Sequence, residues 1–343
     1  MENSLLRKEE DGEEDNDDDG TEFGEAAYAV QMLLSCGDWH LARCQETRLV
    51  ESAVTDEALD TVVRCLIKSM HARVSRAALM FLVTVTSTAP HKVMRVIEPV
   101  LRWAGAEIGS NKTSDGYSHV AVNSLVKKAV PSLLKAGQSP SSIVKSMASA
   151  AKSSGVSLER RLELIVEIVR VAGHQNLSLT VLVLLSMDDD EDDDDAMEIS
   201  HELFGRFYAT QQIAAIREMV SVAIACLRNE DEDEDDDKNA KRIMSMLQQH
   251  DNLDTSALAR AALDFSHKHL KRREFLDKAV SVRNKQVTQR SYIQLCEQLL
   301  VLLEILEDRE DLRDMCTELM VRCFLALTNR ITLFRNAFST ILL

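Results

Sequence analysis

SLERRLELIVEIVRVAG (residues 157–173) sets the frame for the whole chain. Leu158, Leu162, Ile165, Val169 and Ala172 recur at spacings of four, three, four and three. That rhythm puts them on one stripe of an amphipathic helix. Ser157 stands where an N-cap hydroxyl belongs, and Gly173 where a helix can stop. The stripe has nothing of its own to bury against, so a neighbouring helix must cover it. The same pattern recurs outward from here. In TDEALDTVVRCLIKSM (residues 55–70) the stripe is Leu59, Val63, Leu66 and Met70. In SYIQLCEQLLVLLEILED (residues 291–308) it is Tyr292, Leu295, Leu299, Leu302 and Leu306. Ser139 and Pro140 read as an N-cap followed by the first helical residue, and Pro90 as the opening of a helix after FLVTVTSTA (residues 81–89) ends.

Composition agrees with an all-helical chain. Only 11 Gly and 4 Pro occur in 343 residues, too few for the many tight turns of an all-β fold. Apolar residues at 45% supply an ample core. From Phe23 onward the sequence predicts helix after helix, roughly 14 to 16 of them, paired with a period of about 35 to 45 residues. The expected fold class is all-α, an α-solenoid of HEAT- or armadillo-like helical hairpins; a compact helical bundle is the structural alternative.

Charge divides the chain further. Residues 9–19, 188–195 and 230–237 hold 25 of the 56 acidic residues. The rest of the chain has 31 acidic against 40 basic residues, a balance of +9 within an overall −16. Like-charge blocks repel themselves and stay solvated. The expected organisation is a disordered acidic tail at 1–22, helical-repeat segments at 23–187, 198–229 and 239–343, and acidic loops at 188–197 and 230–238. A sharper reading of the runs is electrostatic competition with a polyanion for the basic surface.

The residues offer little chemistry. Cys36, Cys44, Cys65, Cys226, Cys296, Cys316 and Cys323 form no C-x-x-C pair and read as small core residues in a reducing compartment. The sequons at Asn111 and Asn176 read as chance matches, because no signal peptide precedes them. GAEIG (residues 105–109) lacks the spacing of a phosphate loop. The histidines look isolated. His267 and His269 point to different helix faces with no carboxylate at metal spacing. No nucleophile motif is present. The expectation is a chain that is not an enzyme, with no catalytic residues, no cofactor, no metal and no small-molecule substrate. The apolar run at 179–187 is too short to span a bilayer, so no membrane partner is expected. HKHLKRREFLDKAVSVRNK (residues 267–285) is basic. Lys268, Lys271, Arg272 and Arg273 are its candidate RNA-phosphate contacts; a solvated helix face is the plainer account.

VIEPVLRWAGAEIGSNKTSDGYSHVAVNSLVKKAVPSLLKAG (residues 96–137) resembles a passage in the large HEAT-repeat protein family of the small-subunit processome, which are snoRNA-associated ribosome-assembly factors. The family's phenylalanine-methionine-glycine-alanine type helix end corresponds to Trp103, Ala104, Gly105 and Ala106. Its aspartate and tyrosine-serine loop corresponds to Asp115, Tyr117 and Ser118. Its isoleucine-proline-alanine-leucine type ending corresponds to Val130, Pro131, Ser132 and Leu133. Arg160, Arg161, Gly173 and the apolar run at 179–185 follow the family's next helices in order, and RSYIQLCEQLLVLLEIL (residues 290–306) looks similar to the same region. Gly116 departs from the pattern by separating the aspartate from the tyrosine, and family members are far longer than this chain. The resemblance therefore implies a partial or truncated chain.

Read physically, Gly105, Gly109 and Gly116 mark a helix-to-helix turn. Tyr117 can bury its ring, and Pro131 should kink or end its helix. The resemblance implies a ribonucleoprotein scaffold of the nucleus and nucleolus that supports pre-rRNA processing and small ribosomal subunit biogenesis. Its implied partners are other processome proteins, with pre-rRNA or snoRNA as candidates. A HEAT-repeat adaptor in nuclear transport or cytoskeletal assembly is the alternative. An unrecognised helical enzyme is disfavoured for want of an acid, base or nucleophile constellation.

Overall fold

The computed structural model describes residues 18–44, 52–69, 71–89, 92, 96–97, 99–100, 103, 117–153, 157–187, 195–228, 238–248, 254–281, 285–306 and 309–328. Asp115, Gly105, Gly109, Gly116, Met70, Pro90 and the acidic residues at 1–17, 188–194 and 230–237 lie outside them. Tyr117 and Ser118 are placed as helical backbone.

Fourteen α-helices occur among the described residues. They are α1 (Asp18–Arg43), α2 (Asp56–Lys68), α3 (Ala72–Thr88), α4 (Tyr117–Lys135), α5 (Pro140–Ser153), α6 (Leu158–Ala172) and α7 (Leu177–Ser186). Then come α8 (Asp195–Gly205), α9 (Ala209–Leu227), α10 (Lys238–Gln248), α11 (Thr255–Lys271), α12 (Arg273–Ser281), α13 (Lys285–Ile305) and α14 (Glu310–Thr328). The principal contacts join near neighbours in order: α1 with α3, α3 with α4, α4 with α6, α5 with α7, α7 with α9, α9 with α11 and α13, and α11 with α14. One apolar core runs the length of this stack, from Leu34 to Leu327. That is an α-solenoid: each helix pair buries its stripe on the next pair.

The stripes read from sequence form that core. Leu59, Val63 and Leu66 are buried, as are Leu162, Ile165 and Val169. Tyr292, Leu295, Leu299, Leu302 and Leu306 are all buried as well. α7 goes further. Every residue at 177–184 is buried, so this helix has no polar face, as expected of one enclosed by others. No helix among the described residues is long and apolar enough to cross a membrane.

Helix ends follow their caps. Ser139 is the N-cap of α5: its Oγ accepts the Ser142 N–H at 3.2 Å, and Pro140 takes the first helical position, where its missing N–H costs nothing. Ser157 precedes α6, but its hydroxyl makes no capping bond. Gly173 closes α6 with φ 98°, in the region that favours glycine.

Pro131 does not end its helix. α4 continues through it to Lys135 and stops at Gly137. There the Gln138 N–H donates to the Leu133 carbonyl at 3.0 Å and the Gly137 N–H to the Leu134 carbonyl at 3.1 Å. With Gly137 at φ 87°, this is a Schellman stop, and it satisfies the last carbonyls of the helix.

Three helices begin earlier than composition suggests. α1 begins at Asp18, α8 at Asp195 and α10 at Lys238, so the edges of the acidic segments enter helices. Carboxylates are favourable at helix N-termini. Asp195 gains a partner there, since its carboxylate pairs with the Arg161 guanidinium of α6.

Substitutions at two positions test this account. Leu162→Asp, at a position only 4% exposed, should cost about 3 kcal/mol or more because it buries an unpaired charge. Urea unfolding measures it, and an unchanged midpoint would refute the stripe. A Cβ at Gly137 would meet nothing within 4 Å, so Gly137→Ala should cost only the backbone penalty, about 1 kcal/mol. Gly137→Asn should lose less than Gly137→Ala in the same assay.

Candidate functional site

The basic segment nominated by sequence lies on α11 and α12 and is paired internally. Lys268 Nζ lies 2.9 Å from Asp264 Oδ2, one turn back. Lys271 Nζ reaches Glu318 Oε1 of α14 at 2.6 Å. Arg272 NH1 lies 3.5 Å from Glu202 Oε1 of α8. Arg273, with its side chain 94% exposed, has only a loose contact at 3.9 Å with Asp277. Each cation therefore has a carboxylate beside it. Exposed pairs of this kind contribute roughly 0–1 kcal/mol, so they hold the charges weakly and spread them over four helices, α8, α11, α12 and α14.

His267 and His269 do sit on different faces of α11, and both have partners. His267 Nε2 lies 2.7 Å from Glu318 Oε2. The Lys271 hydrogen bond, then the His267 contact, hold the Glu318 carboxyl at about 2. Sequence read the histidines as isolated, but His269 packs beside His201 of α8, with ring centroids 5.5 Å apart. Phe204, Phe265 and Phe275 close around them. The pairing is tertiary, across 68 residues, and no local pattern announces it.

The hydrogen bonds of this cluster form a directed chain. Gln212 Nε2 donates to the Phe207 carbonyl at 2.8 Å, so its Oε1 is free to accept. His269 Nε2 lies 2.9 Å from that oxygen and must be the protonated nitrogen. His269 Nδ1 is then an acceptor and takes the Nδ1–H of His201 at 3.3 Å. Both rings are neutral in this arrangement, each in a defined tautomer. Burial first, then Arg272 and Lys268, lower His201 from 6.5 to about 4, with Asp264 acting the other way. Burial, then His201, Arg272 and Lys278, lower His269 to about 3. The chain runs from α8 through α11 and α9 to the Phe207 carbonyl, and so it fixes the turn between α8 and α9.

That turn borders a groove of about 820 Å³. Its walls include Arg170 at the end of α6, His174 in the turn to α7, Arg206, Phe207 and Tyr208 in the α8–α9 turn, and Lys278 of α12. Among the described residues no Asp or Glu lines it. Tyr208 is 78% exposed. No motif at 170–174 or 205–211 marks this place in the sequence beyond the Arg-Phe-Tyr turn at 206–208.

Of the family-like residues, Pro131, Arg160 and Arg161 serve structure. Arg160 pairs with Glu163 at 2.6 Å along α6, and Arg161 with Asp195. The cysteines are free thiols, and burial pushes Cys226 and Cys316 up to about 12. Asn176 is buried, its side-chain amide donating to the Ala172 carbonyl at 2.8 Å. Among the described residues no group of three or more His, Cys, Asp or Glu could hold a metal ion.

Over 121 residues, 33% of this chain, the sequence is 29% identical to HEAT repeat-containing protein 1 of Macaca fascicularis. The chain is similar in part to a HEAT-repeat protein. The stretch in common spans 12% of that relative's length, and no family model matches the chain. Solenoid and relative together support a helical scaffold or interaction protein.

The histidine pair predicts a pH dependence. Both folded-state values lie below the ordinary 6.5, so the unfolded chain binds more protons. Stability should be full above about pH 6.5 and fall as pH drops toward 4. Urea unfolding between pH 5 and 7, above the usual carboxylate range, should show this slope, and His269→Gln should flatten it. Equal slopes for the two proteins would refute the neutral pair.

Proposed function

We propose that this chain is scaffold material of the nucleolar small-subunit processome, supporting pre-rRNA processing and small ribosomal subunit biogenesis. The observation that carries the proposal is the continuous helical stack, joined to the family-like residue order at 103–133 and 160–185 and to the partial likeness to a HEAT-repeat protein. Work of this kind requires area rather than chemistry. A solenoid presents long surfaces on a stack that needs no catalytic group. The partners are other processome proteins, with pre-rRNA or snoRNA meeting the basic balance of the folded part. Lys268, Lys271, Arg272 and Arg273 can exchange their weakly held carboxylates for phosphates, releasing counterions from the nucleic acid.

Gradient sedimentation of the tagged chain from nuclear extract tests the proposal. It should travel with particles that contain small-subunit precursor RNA. Recovery only in light fractions, with a transport GTPase or tubulin, would replace the processome with a transport or cytoskeletal role.

A further inference from the structure

α1 is the first described helix of the stack, and its principal contact is α3. One stripe of α1 makes that contact. Leu34 and Leu41 are buried. Asp38 accepts a hydrogen bond from the Thr84 hydroxyl of α3. Gly37 lies so close to Phe81 of α3 that a Cβ there would meet the ring at 3.0 Å. Residues 34, 37, 38 and 41 keep the three-and-four rhythm of a single helix face.

The opposite face of α1 is apolar as well. Tyr28, Met32, Leu33 and Trp39 are exposed, Leu33 to 73%, and Cys36 is exposed among them. Between Glu25 and Arg43 the only Asp, Glu, Lys or Arg is Asp38, which belongs to the inner stripe. A helix that is apolar on both sides is built to be enclosed. Among the described residues, only its inner side is covered. A contiguous exposed apolar face of this kind marks an interaction surface.

The order of residues on the outer face selects the occupant. Glu25, Ala29, Met32, Cys36, Trp39 and Arg43 stand at spacings of four, three, four, three and four. That is the seam of a paired helix. Laid antiparallel on a second copy about Leu34, the seam sets Glu25 against Arg43, Ala29 against Trp39 and Met32 against Cys36. Opposite charges then close both ends, and the smallest side chain of the seam faces the largest. Each contact occurs twice, as a two-fold interface requires. Arg43 already stands at the end of the seam, its guanidinium carbon 4.1 Å from the Trp39 ring centroid. A parallel pair would instead set Glu25 on Glu25 and Arg43 on Arg43, like charges at both ends.

We propose that this chain forms a two-fold dimer through the outer face of α1, paired antiparallel with α1 of a second copy. The seam is about 28 Å long, at the small end of specific interfaces, so association in the micromolar range is expected. The proposal goes beyond the scaffold reading and does not depend on it. Its test uses the purified full chain alone, so either can fail while the other stands.

Sedimentation equilibrium between about 1 and 100 μM chain should show a monomer passing into a dimer. Trp39 and Trp103 are the two tryptophans of the chain, and Trp103 is buried. The Trp39 emission should therefore shift to the blue over the same concentrations. Met32 is exposed, so Met32→Glu leaves the fold in place, and circular dichroism checks this. It should weaken the dimer about a hundredfold or more, because each interface would hold two unpaired carboxylates. Glu25→Arg and Arg43→Glu should each weaken it about tenfold. Mixing these two single variants should restore the dimer, since every end of the mixed pair again joins a guanidinium to a carboxylate.

A monomer at every concentration would overturn the proposal and leave the face to a helix of another protein. A dimer that survives Met32→Glu would place the interface elsewhere. Charge reversals without effect, or a mixture that stays monomeric, would overturn the antiparallel pairing.

Discussion

Everything in the second half of the stack is arranged around α9, a helix enclosed by its neighbours. It packs on α7, α10, α11, α12 and α13, and Ile213, Ile216, Met219, Val220, Val222 and Ala223 are buried along it. Enclosure on so many sides forces a condition: each polar side chain on α9 must find a partner on another helix, because burying one unpaired is costly. Gln212 meets His269 on α11. Arg217 meets Gln294 on α13. Glu218 accepts from Ser178 of α7 at 2.6 Å and from Asn239 of α10 at 2.9 Å. Ser221 accepts from Gln298 of α13 at 2.7 Å. These bonds contribute modestly one by one. Together they fix how each neighbour is rotated about its own axis, which apolar contact alone leaves loose.

The consequence reaches the surface through Gln212. Its amide connects a buried histidine pair to the carbonyl of Phe207, so the exposed Arg206 and Tyr208 sit on a turn anchored from inside. A loop carried on a rigid array is where a scaffold places its recognition groups. The basic residues on α11 and α12 are built differently. Lys268, Lys271, Arg272 and Arg273 lie beside carboxylates of α8, α11, α12 and α14, and two of those pairs, Lys271–Glu318 and Arg272–Glu202, also tie helices together.

The molecule thus combines a long apolar core, several buried thiols and basic surface residues. Buried cysteines such as Cys296, Cys316 and Cys323 fill space between α13 and α14, and Cys316 Sγ donates weakly to the Leu299 carbonyl at 3.4 Å. Their role is packing, which fits a protein whose work is contact.

Sequence alone determined what is periodic and local. The stripes at 158–169 and 292–306 were legible because a 3.6-residue period is a property of one helix, and Ser139–Pro140 because capping involves adjacent residues. Pro131 does not stop its helix: α4 runs through it to Lys135, and the Schellman bonds at Gly137 close it instead. Only the tertiary structure decided the rest. It paired His201 with His269 and Gln212, gave each cation at 268–273 its carboxylate, and brought Arg170, Arg206 and Lys278 to one groove. Those residues lie far apart in the chain. Their meeting depends on how α6, α8, α9, α11 and α12 are rotated and stacked, and the polar bonds around α9 fix that geometry, which no period in the sequence encodes.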